Sequence, residues 1–528
     1  MNAVVGLPSL VRLVLRRDRV WLSVWVLALV GITYATANAI AATYDTPKEV
    51  ASYARNFGDS TATIAFNGPP VALDTIGGIL VYETSVTLLV GIALMAIFTV
   101  ARHTRTEEEV GRTELLAATV LGRHAPLAAA VAVSSVASVV IGVGTAASML
   151  AVDMPDRSAW CYAAAVSAIG LVFTGVAAVA VQLTANARTA RGLALAVLGL
   201  AFAARAVGDV RESFLSWFSP IGWSQQVRVS DDNRLWPLAF SAVLILGLLA
   251  AAAWLVTRRD LGSGILPARP GPTTAAPALR SPFGLAWRLQ RGSILGWSAG
   301  LALTGVLFGS LTEEIEGMME DNPTLAEYFA QSGGSITDSF FATALLLMSV
   351  GASGFAVASG LRLRSEESSG RLEPLLAGAV PRAGIVLQWL AVTLIGTVLV
   401  VTAGGVGLAV ADALVRGEGT DIPRLVGLSW AYLPAMLVLP ALAALLTGML
   451  PRAVMLAWLW LAVTFVVSWL GPALDLPGAV NALSPFDHLP AMPGESIAIG
   501  PMVALTLLAA ALTAAGVLGF RRRDAVVG

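Results

Sequence analysis

Residues 105–118 read RTEEEVGRTELLAA, and residues 364–377 read RSEESSGRLEPLLA. Eight of these 14 positions match without a gap: Arg105 with Arg364, Glu107 with Glu366, Glu108 with Glu367, Gly111 with Gly370, Arg112 with Arg371, Glu114 with Glu373, Leu116 with Leu375 and Ala118 with Ala377. Arg123 and Arg382 keep the same offset of 259. Further on, Leu183–Thr184 matches Leu446–Thr447, Ser219–Pro220 matches Ser484–Pro485, and Arg258–Arg259–Asp260 matches Arg522–Arg523–Asp524, at offsets of 263 to 265. The likeness runs through both halves in order, so the chain reads as a duplicated unit.

Each acidic stretch lies between apolar runs. The 528 residues are 56% hydrophobic and 13% charged, with a mean hydropathy of +0.77. Soluble proteins average about 45–50% apolar and about 25% charged, so a soluble enzyme is excluded. At roughly 40–45 residues for a span with its loop, the length fits about twelve spans. Apolar runs occur near 20–42, 79–101, 125–151, 159–183, 192–208, 236–257, 292–311, 336–359, 383–411, 426–449, 453–471 and 498–520. The predicted fold is an all-α integral membrane protein of about twelve transmembrane helices. It divides into a six-span half (1–260), a Pro/Gly/Ala-rich linker read as an extended tether (261–282), and a second six-span half (283–528). Six is even, so both halves start on the same side and form parallel repeats about an axis along the membrane normal.

Orientation comes from the arginines. With both termini in the cytoplasm, 24 of the 33 basic residues and about 10 of the 34 acidic ones fall on that side. The first span could be taken for a signal peptide, because basic residues precede an apolar run ending in ATANAIAA. A similar unit recurs at 283–311, where a cleaved leader has no purpose, so the first span is read as retained.

Composition also removes several chemistries. Lys48 is the sole lysine and has no glycine-rich turn before it, so a P-loop of the form GxxxxGK[ST] is absent. A lone Cys161 excludes an intrachain disulfide or a cysteine metal cluster, and the scattered His103, His124 and His488 make no histidine metal motif. No catalytic, cofactor-binding or nucleic-acid-binding constellation emerges.

The acidic stretch is the longest loop inside each half on the arginine-rich side. Thr106 and Ser365 are candidate helix N-caps, and Thr106 with Glu109 has capping-box spacing. The paired glutamates then sit in a first turn, where the helix dipole favours them. Glu108–Arg112 and Glu367–Arg371 have i,i+4 spacing, worth a few tenths of a kcal/mol each. A short helix on the membrane surface is expected, with Pro374 stopping or kinking the second copy where Leu115 leaves the first intact. Such a loop can be a solvated turn or, given its two-fold occurrence, a pair of docking sites for a soluble partner.

Six spans per half with a cytoplasmic EExxGRxE element after the second span resemble the permease subunits of type-2 ATP-binding-cassette exporters. Among these, the fused chain is most similar to actinobacterial polyketide-antibiotic and multidrug exporter permeases. The linker DLGSGILPARPGP and the segment LAWRLQRG add to the likeness, which covers the whole chain. The resemblance implies that each loop is a coupling helix seated on an ATPase subunit. Glu107, Glu108, Gly111, Arg112 and Glu114 would form the first contact, and Glu366, Glu367, Gly370, Arg371 and Glu373 the second. It implies two copies of a separately encoded ATPase carrying ATP and Mg, a plasma-membrane location, and hydrophobic or amphipathic drugs or antibiotics as cargo.

Ionisable groups within spans are costly, about 2.5–3.5 kcal/mol at the bilayer centre, and so are candidates for a substrate path. Glu83 and Asp338 lie near the outer end of the second span of each half, either lining a cavity or solvated at the interface. Arg205 is a candidate partner for Glu83, and Phe340 and Phe341 are candidate drug contacts or ordinary packing. The segments WFSPIGWSQQ and LSPFDHLP read as short re-entrant or interfacial elements. A proton-coupled twelve-span antiporter is the alternative function, sharing span count and parallel halves. It would call for a basic loop and deeply buried acids, whereas this loop is acidic and the acids are peripheral.

Overall fold

The structure, a computed structural model, describes residues 3–44, 46–58, 61–260, 262–266, 273–312, 336–416, 422–474, 477–490, 492–493 and 498–524. Among them there is no β-strand, and eleven helices are long and apolar enough to cross a membrane. The chain is an all-α integral membrane protein. It forms two compact units, Met1–Gly271 and Pro272–Gly528.

In the first unit the long helices are α1 (Leu7–Thr43), α4 (Ile76–His103), α7 (Ala125–Leu150), α8 (Asp156–Leu183), α9 (Ala187–Val210) and α11 (Leu238–Val256). Short helices α2 (Pro47–Phe57) and α3 (Thr61–Asn67) come after α1, α5 (Arg105–Glu109) and α6 (Arg112–Ala117) come after α4, and α10 (Pro220–Gln225) precedes α11. α4 and α8 are the central pair, packed against one another and ringed by α1, α7, α9 and α11. The segment before the first span is continuous with it, so α1 is a single helix of 37 residues. It packs on α4 and α7.

The second unit contains α12 (Pro282–Ser310), α13 (Ile336–Gly360), α14 (Arg362–Ser368), α15 (Glu373–Leu376), α16 (Arg382–Arg416), α17 (Ile422–Ala431), α18 (Leu433–Met449), α19 (Leu456–Leu474), α20 (Gly478–Asn481) and α21 (Ile499–Arg522). The expected span at 426–449 is divided at Tyr432, because Pro434 in the first turn of α18 has no N–H to continue the ladder. The eleventh expected span corresponds to α19, a helix of 19 residues. It stands beside the eleven long apolar helices, in keeping with about twelve expected.

Small residues decide the closest approaches, since lipid gives apolar helices no hydrophobic reason to associate. A Cβ on Gly305 of α12 would lie 2.1 Å from the carbonyl oxygen of Gly404 on α16, and one on Gly407 would lie 2.3 Å from that of Ala302. Hydroxyls link neighbouring helices inside each unit: Thr84 to Tyr162 at 2.9 Å, Ser134 to Thr174 at 2.7 Å, and Ser359 to Thr393 at 2.7 Å.

The repeat dipeptide Ser-Pro also has a structural meaning. Ser219 accepts from the amides of Ile221 and Gly222 to cap α10, and Ser484 accepts from the amide of Phe486 to cap a 3-10 turn, Pro485–His488. Both expected interfacial segments are therefore short helical elements. The linker departs from a free tether at its start, where the amides of Ile265 and Leu266 bond the carbonyls of Gln182 and Leu183. Residues 261 and 267–272 of it lie outside the described residues.

Candidate functional site

Each acidic stretch comes directly after the second long helix of its unit, and in both units this is among the most buried helices. The chain breaks at Thr104 after α4 and at Leu361 after α13, then makes two short helices separated by a glycine. Gly111 and Gly370 both have φ of +73°, a left-handed conformation that costs glycine little. Their amides bond the carbonyls of Glu108 and Glu367, each at 3.0 Å. The repeated glycine is thus the hinge of a repeated helix pair.

Several expectations change here. Thr106 and Ser365 lie inside α5 and α14 and cap nothing; the Thr106 hydroxyl donates to the carbonyl of Ala101. Pro374 stands in the first turn of α15 and starts that helix rather than stopping one, because a helix start needs no N–H there. The i,i+4 pairs do not form. Arg112 bonds Glu107 at 3.3 Å and Arg371 bonds Glu366 at 2.5 Å, since the glycine hinge folds each arginine back by one residue more. That bond holds the Arg371 guanidinium above its ordinary pKa.

The second glutamate of each loop is the centre of a buried node. Glu108 receives Arg105 at 2.6 Å and Arg259 through two bonds of 2.5 and 2.9 Å. Arg105 is fully buried and also donates to the carbonyls of Val181 and Ser263. Arg123 closes the node by donating to the carbonyl of Arg259 at 2.7 Å. In the second unit Glu367 receives Arg364 at 3.0 Å and Arg523 at 2.6 and 2.7 Å, and Arg382 donates to the carbonyl of Arg523 at 2.8 Å. The glutamate and three arginines of one node each have a repeat counterpart in the other. Such bidentate, hydrogen-bonded pairs satisfy charges that would otherwise be stranded.

The first glutamates differ. Glu107 takes two bonds from Arg17 of α1, at 2.9 and 3.0 Å. Glu366 is held by Arg362 at 2.7 Å and by Arg371, both of its own segment. Glu109 accepts from the amide of Ala187 at 2.7 Å, at the start of α9, and Arg191 donates to Thr106. The sequence reading missed Arg17, Glu109, Arg259 and Arg523 as partners. The matched RRD triplets and the unmatched Glu109 were the available signals. Beside them a further buried pair, Asp18 with His103 at 2.5 Å, ties α1 to the end of α4.

Four of the predicted coupling residues, Glu107, Glu108, Glu366 and Glu367, are therefore engaged internally. The surface left to solvent is the hinge and the short helix after it: Val110, Arg112, Glu114 and Leu115 in the first loop, and Arg371, Glu373 and Pro374 in the second. Leu115 is 76% exposed, a large apolar side chain among charges.

Glu83 accepts a hydrogen bond from the Tyr53 hydroxyl of α2. Arg205 is not its partner; fully buried, it pairs with Asp209 at 3.6 Å and donates to the carbonyls of Ile64 and Phe66. The i,i+4 spacing on α9 supplies Asp209 locally, and the helix α3 uses the rest of the guanidinium. Asp338 lies 3.9 Å from Arg424. Phe341 is buried in the second unit's apolar core, and Phe340 packs edge-on against Phe308.

Apolar helices long enough to cross a membrane, with a repeated, glycine-hinged acidic loop after the second one of each unit, define a multi-pass membrane protein. Residues 279–521 match the family described as the C-terminal domain of the multidrug efflux system permease Rv1217c. Over 524 residues the chain is 39% identical to the multidrug efflux system permease protein Rv1217c of Mycobacterium tuberculosis, covering 98% of this chain and 95% of the relative. The chain belongs to this family of multidrug efflux permeases.

Proposed function

We propose that the chain is the transmembrane subunit of an ATP-driven exporter that removes hydrophobic or amphipathic drugs from the cell. ATP and Mg would reside on a separate ATPase, two copies of which dock on the cytoplasmic face, one under each acidic loop. The asymmetry of basic residues supports both termini and both loops on that face. The observation that carries the reading is the same glycine-hinged helix pair beneath the second long helix of each unit, its hinge and second helix exposed. Closure of the ATPase pair on nucleotide would press on these elements and switch the access of the drug path.

The internally paired glutamates make the exposed residues the better target for a test. Val110→Asp with Leu115→Asp, in a chain co-expressed with its ATPase, is expected to lower co-purified ATPase and drug-stimulated ATP turnover at least tenfold. Undiminished binding and transport would overturn the docking assignment. Drug movement by the isolated chain in vesicles, driven by a pH gradient without nucleotide, would overturn ATP coupling and restore the antiporter.

A further inference from the structure

The two buried nodes are more than loop scaffolding. In each, a glutamate of the acidic loop grips an arginine beyond the last long helix of the same unit: Glu108 holds Arg259, after α11, and Glu367 holds Arg523, after α21. A loop needs no such long-range partner to fold back on itself, since Arg112 and Arg371 already serve that purpose locally. Sequence separations of 151 and 156 residues make the clamp a link between distant elements. A third arginine, Arg123 or Arg382, holds the backbone of the gripped arginine and so fixes its position as well as its charge. The clamping side chains are largely shielded from water, with Glu367 2% exposed. Repetition of the whole arrangement in two units of diverged sequence makes an accidental pairing untenable.

We propose that Arg259 and Arg523 are positioning residues that fasten each coupling loop to the last transmembrane helix of its unit, so that force applied to the loop is delivered to that helix. The inference rests on the proposed ATPase docking and deepens it. Exposed residues bind the motor, whereas the buried node transmits its stroke. Docking and transmission thereby belong to different residues, and they separate by mutation.

The full chain, co-expressed with its ATPase, is compared with R259Q/R523Q. Expected is an unchanged ratio of co-purified ATPase, with drug-stimulated ATP turnover and efflux reduced at least tenfold, and partial recovery in R259K/R523K. Turnover and efflux equal to the parent in R259Q/R523Q would overturn the inference alone. Failure of the parent to retain ATPase would instead overturn the docking reading.

A second pair guards against simple misfolding. With Cys161 replaced by alanine, Glu108→Cys and Arg259→Cys are joined by a short bifunctional thiol reagent. If the node is a rigid coupling, joining the residues restores turnover lost in the unjoined double variant. If joining leaves turnover lost in a protein that still binds ATPase, the transmission role is refuted.

Discussion

The two acidic loops share a centre and differ at their edges. Glu108 and Glu367 have matching arginine partners, residue for residue. Around that centre the first loop reaches outward, to α1 through Arg17 and to α9 through Glu109 and Arg191. At the equivalent places the second loop turns inward: Glu366 is held by its own segment, and Ser368, standing where Glu109 stands, donates to the carbonyl of Ser365. Duplication has kept the link to the last helix in both units and the ties to other helices in the first. The retained part is the part that both units need.

The largest expected effect tests whether the centres are equivalent. Glu108→Ala and Glu367→Ala each strand two arginines, and each should cost about 2–3 kcal/mol, below the ~3–5 of a fully buried pair because Arg259 and Arg523 keep some solvent. Thermal unfolding in detergent should fall comparably for both; tolerance of one would break the equivalence.

Arg17→Ala, removing a partly exposed two-bond pair, should cost about 1 kcal/mol. It should speed amide exchange in residues 105–112 while leaving 364–371 unchanged, and equal acceleration of both loops would contradict the asymmetry. A Cβ on Gly111 would meet nothing within 4 Å, so Gly111→Ala should cost about 1 kcal/mol from the left-handed backbone alone. Gly370→Ala, at the same φ, should cost about the same. A difference between them in melting temperature would show that the hinges are not alike. The smallest effect is at the edge: Glu109→Ala should loosen the first turn of α9 by about 0.5 kcal/mol, since Asn186 still caps it, against still less for Ser368→Ala. Hydrogen exchange at residues 187–190 reads that difference.

The long helices were legible because apolar runs of about twenty residues admit few alternatives, and the duplicated unit was legible because its punctuation survived. Gly111, Gly370 and the Ser-Pro pairs stood out in the sequence only as repeat matches, and their roles as hinges and caps come from the folded backbone. The ion pairs were not legible in the same way. Helical spacing nominated Arg112 for Glu108, and a position near the outer end of its span nominated Arg205 for Glu83, but a glycine hinge shifts one register and a nearer carboxylate, Asp209, claims the other arginine. The matched RRD triplets were visible without a role, because the pairing of Arg259 with Glu108 crosses 151 residues and arises only when α11 returns beside the end of α4.

The unbroken α1 has a mechanical meaning. At 1.5 Å per residue its 37 residues make a rod of about 55 Å, well beyond the ~30 Å of hydrocarbon that it has to traverse. Any tilt of that rod would displace Arg17 and, through its two bonds, Glu107. The first loop would thus have a lever of its own in addition to the clamp on the last helix that both loops share.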